Sequence, residues 1–558
     1  MQAGRSDRQL NIALRRGLMI FALMALAPMM ALAQEDHSSH GNAFAGLGTV
    51  DFPSSCNPSA QKWITRGVAL LHSFGYEGAR LAFNQANKAD PSCGIAHWGV
   101  ARTFYHPIWA LPSPEELQQG AEAINRALAA GAKTERERDY IGALAVFYQD
   151  WQEVDHATRA KAYEQALARV CERHPSDEEA AIFHALQLVA IGYLDPTDKT
   201  YAWQKKGSEI LNQLLPRHQN HPGVAHYIIH SVDYPSMSEM GLNAARAYAR
   251  IAPDSPHAVH MPSHIFTRLG LWDDSIASNI GSAKLAIDNT QRLRGGGGAF
   301  DQLHALDYLI YAYLQQARDK SAANALAEME AITELDENQF AAAYAFAASP
   351  ARWALERHDW KVAAALVVEP GWFPWQRFRN AEALVHYARA IGAARAGDAA
   401  GARRSAEKIA SIRSALPASR DYDWSGSITV QIETANALIR FAEGAKEEAL
   451  KLLRAAADHE DSIDKHPVTP GALLPVREML ADLLLENGAA AEALKQYEAV
   501  LRSAPRRFNA TAGAAKASDA IGDGSKARAF ATQLLEIAKN AEVSRPELAW
   551  ARAYVQER

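Results

Sequence analysis

Histidine is the residue whose placement could do chemistry in this 558-residue chain. Sixteen of its twenty histidines lie at or before His304, and six fall between His221 and His264. His226 and His230 are four residues apart and Asp233 follows three later, so at about 100° per residue a helix would project all three from one face. By the same rule His257, His260 and His264 share a face of a later helix. The two sets are in register, because His226 to His260, His230 to His264 and Pro222 to Pro256 each span 34 residues. Four imidazoles, those of His226, His230, His260 and His264, are therefore expected to cluster. His72 and His106 are also 34 apart, and His304 and Asp307 sit three apart. His184 and His218 share the interval too, but His218 follows Pro216 in a loop, and that match is read as accidental.

Neutral imidazole is the commonest protein ligand for transition metals and suits Zn, Cu, Fe and Ni. Two histidines at i and i+4 on a helix can reach one ion. The expected metal ligands are thus His226, His230, His260 and His264. Asp233, His257, His304, Asp307, His72 and His106 are further ligands or groups that orient the ligands. No cysteine or methionine joins the set, which argues against a soft Cu(I) site and leaves Zn, Cu(II) or Fe open. A competing reading is a metal-free, pH-sensitive groove whose imidazoles protonate near about pH 6 and bind acidic peptide groups. Pro262 complicates the one-face argument, because a helix starting there would leave His260 on the preceding loop.

Those residues need elements to position them, and the chain repeats itself. Gly67, Tyr76, Ala79, Phe83, Ala86 and Pro91 form a ladder in which small residues let two antiparallel helices approach, aromatics fill the gap and proline ends the second helix. Gly488–Ala493, Gly444–Ala449 and Gly397–Ala402 repeat one step of five residues. Gly270–Ser275 and Ala317–Ala322 are looser copies. Alanine and leucine dominate the region after Arg318, which suits helices and not sheet. These residues, most closely Leu70–Cys93, resemble the tetratricopeptide repeat, a 34-residue helix–turn–helix unit. The wider layout resembles an exported bacterial group of such proteins with LHSF-x-Y (here Leu71–Phe74 with Tyr76) and HMPSH (His260–His264) motifs. The resemblance implies an all-α, right-handed superhelical solenoid of roughly nine to twelve helix pairs. It also implies that the first-helix histidines face the concave groove. Cys56, before the first helix of the opening repeat, and Cys93, after the second, would meet at one edge and form a disulfide.

The N-terminus reads as an export signal: Arg15-Arg16, an apolar run from Leu18 to Ala31, and an Ala31-Leu32-Ala33 exit, with cleavage after Ala33. The run is shorter than the roughly 20 residues of a spanning helix, and no other segment could cross a membrane. The expected organisation is a signal peptide at 1–33, a flexible tail at 34–58, a histidine-lined solenoid at 59–314 and a second solenoid at 315–558. The expected location is periplasmic or secreted. With 58 basic against 64 acidic residues, the net charge of −6 offers no nucleic-acid footprint. Solenoids hold peptides or proteins on extended surfaces, so a peptide or protein partner is expected, with a divalent metal in the groove. A metal-dependent enzyme, a hydrolase or oxidoreductase using Asp233, Asp307 or Tyr234 as acid or base, and a metal-free scaffold are the alternatives.

Overall fold

One turn geometry, used again and again, organises the chain. A computed structural model describes residues 46–108, 111–416 and 422–557; the proposed signal segment 1–33 and residues 34–45 of the tail lie outside them. At Phe74, Gly270, Ala317, His358, Gly397, Gly444, Gly488 and Gly522 the backbone turns with φ between 52° and 87°. At each of these turns the next N–H closes onto a carbonyl five residues back, as Gly75 does to Leu70 and Ala489 to Leu484 at 2.9 Å. This αL stop satisfies the last carbonyls of the first helix and reverses the chain. Five residues past each turn comes a small residue, from Ala79 and Ser275 to Ala493 and Ala527, and all eight are fully buried. Nothing larger fits where the second helix crosses the first.

Among the described residues the result is twelve successive helix pairs and a closing helix, Pro546–Glu557. The first pair is Pro58–His72 with Tyr76–Ala89. A Cβ on Gly67 would stand 2.7 Å from the Phe83 ring, so glycine is what lets these two helices close. Cys56 and Cys93 are joined across the open end of this pair, with Cα atoms 5.4 Å apart. Cys171 is a free, half-buried thiol. No strand occurs among the described residues beyond a single bridge between Gly298 and Leu335, which ties down the glycine run. Trp375 and Phe373 plug the junction after Pro370, while Trp372 stays exposed.

Two features differ from the sequence expectation. The part of the proposed tail from residue 46 onward is packed: Leu47, Val50 and Phe52 are buried, and Phe52 stacks on Trp98 at 5.5 Å. Three apolar residues within six positions gave that stretch something to bury. The later repeats also return to the earlier ones, across the division drawn at 314/315. Trp272 donates its indole N–H to the carbonyl of Arg506 (2.9 Å), and Asp464 N–H reaches Pro196 O (3.0 Å). Buried Arg507 pairs with Glu478 and Glu356 and meets Tyr311. Residues from Gly46 onward therefore cluster as one unit.

Candidate metal centre

The histidines come from three consecutive repeats. His226 and His230 project from helix Pro222–Val232, whose N-terminus is set by proline at its first position and by the His221 ring accepting Val224 N–H. The next repeat opens with Pro256–His260 and resumes as Pro262–Arg268. Met261, between them, keeps right-handed helical dihedrals, so Pro262 kinks the path without ending it. His260 and His264 accordingly stay together. His304 lies on the first helix of the following repeat, Phe300–Gln315.

The four expected ligands do not form one group. Each i, i+4 pair takes a third histidine and becomes its own triad: His226, His230 and His257 in one, His260, His264 and His304 in the other. In the first, His226 Nε2 lies 3.0 Å from His257 Nε2 and 3.1 Å from His230 Nε2. In the second, His260 Nε2 lies 3.1 Å from His264 Nε2. A tetrahedral ion with metal–nitrogen bonds of about 2.0–2.1 Å would set its ligands ~3.3 Å apart, close to these separations. The triads adjoin, with the rings of His230 and His264 at 6.2 Å and those of His257 and His260 at 6.5 Å.

Proton placement follows from the partners. His226 Nδ1–H donates to the carbonyl of His72 (2.7 Å), which can only accept. His260 Nδ1–H donates to Asn279 Oδ1 (2.7 Å), and the amide is held in that sense because Asn279 Nδ2 donates to Ser275 O (2.7 Å). His264 Nδ1–H donates to Asp233 Oδ2 (3.0 Å). With Nδ1 protonated, the Nε2 atoms of His226, His260 and His264 carry lone pairs in the neutral ring. Fixing a ligand histidine through its other nitrogen is how proteins tune metal sites. Burial holds all six imidazoles below their ordinary pKa, His226 at about 3; neighbouring rings add to the effect for every one but His264, where Lys465 and Arg268 add to it.

The expected open groove is not what the rings line, since none of the six is more than 6% exposed. The Phe74 ring lies against the first triad, 4.4 Å from His226 and 5.5 Å from His230 and His257. Tyr308 lies against the second, its hydroxyl 3.2 and 3.4 Å from the two nitrogens of His264. Segment 463–475, between two late helices, crosses to the same region, and Lys465 Nζ reaches Asp233 Oδ2 at 2.9 Å. Arg268 donates to the other oxygen of Asp233 at 2.8 Å. Two cations and an imidazole hold the Asp233 carboxyl well below its usual range despite burial, and burial brings Lys465 down to about 8.

The other sequence candidates go elsewhere. Asp307 pairs with buried Arg352 and takes a bond from Ser349, and it joins neither triad. Three residues past His304 on the helix, it faces the following repeat. His72 is shared out by hydrogen bonds: Nε2–H donates to Glu179 Oε2 (2.9 Å) and Nδ1 accepts from the Tyr227 hydroxyl (2.9 Å). His221 Nε2–H donates to Glu179 Oε1 (2.9 Å). This His–Glu–His set has the spacing of a metal site, but its polar atoms already satisfy one another; its use is to seat His72, whose carbonyl fixes His226. His106 packs at a tilt against Tyr76 (4.5 Å) and donates to Thr103 O (3.1 Å), and it joins neither triad. Tyr234 accepts from Gln204 (3.0 Å), stacks on Tyr193 and packs at a tilt against Tyr201, so it serves packing. Sequence reasoning missed Tyr308, Asn279 and Lys465. Tyr308, four residues after His304, carried a local signal; Lys465 carried none.

No protein-family model matches the chain, and no curated protein sequence matches it. Tetratricopeptide-repeat proteins are among the solved structures that match. A repeat protein from Parabacteroides merdae is 12% identical, over 54% of this chain and 97% of that one, with a TM-score of 0.27. The human IFIT1 dimer with m7Gppp-AAAA is 10% identical over 87% and 96%, with a TM-score of 0.37. The TPR domain of P58(IPK) is 13% identical over 89% and 98%, with a TM-score of 0.20. With paired helices, one recurring turn and a 34-residue period, the chain has the fold of a tetratricopeptide-type helical solenoid.

Proposed function

We propose that this protein is an exported solenoid that holds transition-metal ions at two three-histidine centres in its interior, while its outer repeat surfaces bind a peptide or protein partner. The observation that carries the metal is the pair His260 Nε2 and His264 Nε2. Both nitrogens are committed to lone pairs by their partners on the far side of each ring, and they face each other at 3.1 Å in a buried setting. Two lone pairs cannot hydrogen-bond to each other, and leaving them so would cost stability; a shared cation turns the contact into an attraction. Export is supported by the N-terminal signal pattern and by the Cys56–Cys93 bridge, which suits an oxidising compartment. The partner class is supported by the extended surfaces that solenoids present. Enzymatic use of the metal is the second reading, favoured by the Tyr308 hydroxyl beside the second triad.

The test is elemental analysis of untagged protein, expected to give two ions per chain. Exchange of one ligand in each triad, His230→Ala with His264→Ala, should release both ions while helicity persists. A metal-free native protein that takes up no transition metal on reconstitution would refute the reading.

A further inference from the structure

Building on the metal reading, we propose that the two triads form a single coupled dinuclear copper centre that binds dioxygen between its ions. Spacing is the first reason. Rings of different triads approach to 6.2 and 6.5 Å, within a few tenths of an ångström of the longest separations inside a triad, 6.3 Å for His230–His257 and 6.1 Å for His264–His304. The six rings form one contiguous cluster, and ions held by its two halves lie within reach of one small bridging ligand.

Charge is the second reason. All six ligands are neutral imidazoles. The Asp233 carboxylate is already matched by Arg268 and Lys465, and Asp307 by Arg352. Two bare divalent ions would put four uncompensated positive charges into a buried site, which is severely unfavourable. Two Cu(I) ions bring half of that. When dioxygen binds, each Cu(I) gives one electron and becomes Cu(II), and dioxygen takes both and becomes a bridging peroxide dianion. The O–O double bond becomes a single bond, no proton is taken up, and the charge of the core stays at +2. Reaction and charge balance together, without any group beyond copper and dioxygen.

Coordination is the third reason. Zinc in a three-histidine site completes a tetrahedron with water, and non-haem iron ordinarily uses a carboxylate. Here the apolar ring of Phe74 lies against all three imidazoles of one triad, and Tyr308 against all three of the other. Three-coordinate Cu(I) asks for no fourth ligand, and in the oxidised state a nitrogen site binds Cu(II) more tightly than Zn(II). The lack of sulfur ligands, which argued against Cu(I) at the level of sequence, is offset by burial of all six rings under Phe74 and Tyr308.

The experiment loads the full chain with Cu(I) under anaerobic conditions, counts copper and then admits dioxygen. Expected are two copper ions per chain, uptake of one dioxygen per pair, an oxygen-dependent peroxide-to-copper absorption in the near ultraviolet, and loss of the Cu(II) electron-spin signal through coupling. His304→Asn should lower copper from two to one per chain, abolish the absorption and leave an isolated Cu(II) signal after oxidation. If that variant does not fold, the wild-type copper count and spin signal decide alone. Two copper ions with full, uncoupled Cu(II) intensity, or zinc retained against competing copper, would overturn the coupled pair and leave the metal centres standing. Failure to hold any ion would overturn both.

Discussion

Replacing Asp233 by asparagine separates a supporting residue from the ligands it supports. Asp233 is 3% exposed and accepts from Arg268, Lys465 and His264 at 2.8, 2.9 and 3.0 Å. Asparagine keeps the shape and removes the charge, leaving two buried cations without their counter-ion. Breaking a buried pair in this way costs about 3–5 kcal/mol. Lys465, already lowered to about 8 by burial, loses the carboxylate that raises it and is driven further down, which relieves part of the cost by shedding its proton. His264 exchanges a carboxylate acceptor for at best a neutral amide oxygen, which holds its tautomer less firmly, a change worth roughly 10–100-fold in metal affinity. That loss should fall on the second triad alone, because the first is oriented through the His72 carbonyl. Urea unfolding of metal-free protein reads the first quantity at the earliest transition, since repeat arrays need not unfold in one step. Competitive metal titration reads the second. Asp233→Asn with Lys465→Met, which removes one orphaned cation, should recover part of the stability. A cost below about 1 kcal/mol, or equal weakening of both ions, would refute the account of Asp233.

Three further outcomes are expected. His466 is buried against Phe340, Tyr422 and Trp424 and accepts Val468 N–H, and burial brings it to about 3. Because its folded pKa lies below the unfolded value of about 6.5, the unfolded chain takes up the proton first as pH falls, so stability is constant above about pH 6.5 and declines below it; at pH 4.5 this residue alone should account for about 2–3 kcal/mol, and His466→Phe should flatten the acid limb of a stability–pH curve. The Cys56–Cys93 bridge closes a loop with a sequence separation of 37, worth about 4 kcal/mol on chain entropy; reduction should add two alkylatable thiols to the one at Cys171, and Cys56→Ala with Cys93→Ala should lower the denaturation midpoint of the opening repeat. Gly223→Ala would place a Cβ 2.4 Å from His72 Nδ1; instead of the ~1 kcal/mol gain usual for alanine in a helix, calorimetry should show a loss of about 1–3 kcal/mol, and a gain would mean His72 is not confined as described.

The turns and helix pairs were legible because they are local. The five-residue step from turn to buried small residue is visible as Gly397–Ala402, Gly444–Ala449 and Gly488–Ala493, since each repeat needs the same stop and the same close crossing. The first repeat hid its turn, because Phe74 stands where others have glycine, an arrangement costing roughly 1–2 kcal/mol in αL. Its ring then lies against a histidine triad. Gly67, read from the sequence as a small residue that lets the two helices approach, is where they touch.

The candidate site divides the same way. Spacing along a helix is set by the helical period, so His226 with His230, and His260 with His264, were fixed as neighbours by sequence alone, as was the 34-residue register between them. Which third histidine joins each pair depends on how successive repeats are rotated against one another, a quantity no single helix encodes; that rotation turned four expected ligands into two triads. Whether Asp307 faces the metal or Arg352, and whether Lys465 reaches Asp233 from 232 residues away, was decided only when the late repeats packed back on the early ones. Contacts within a repeat are written in periodicity, while contacts between distant repeats are sums of many small rotations and appear only in the folded chain.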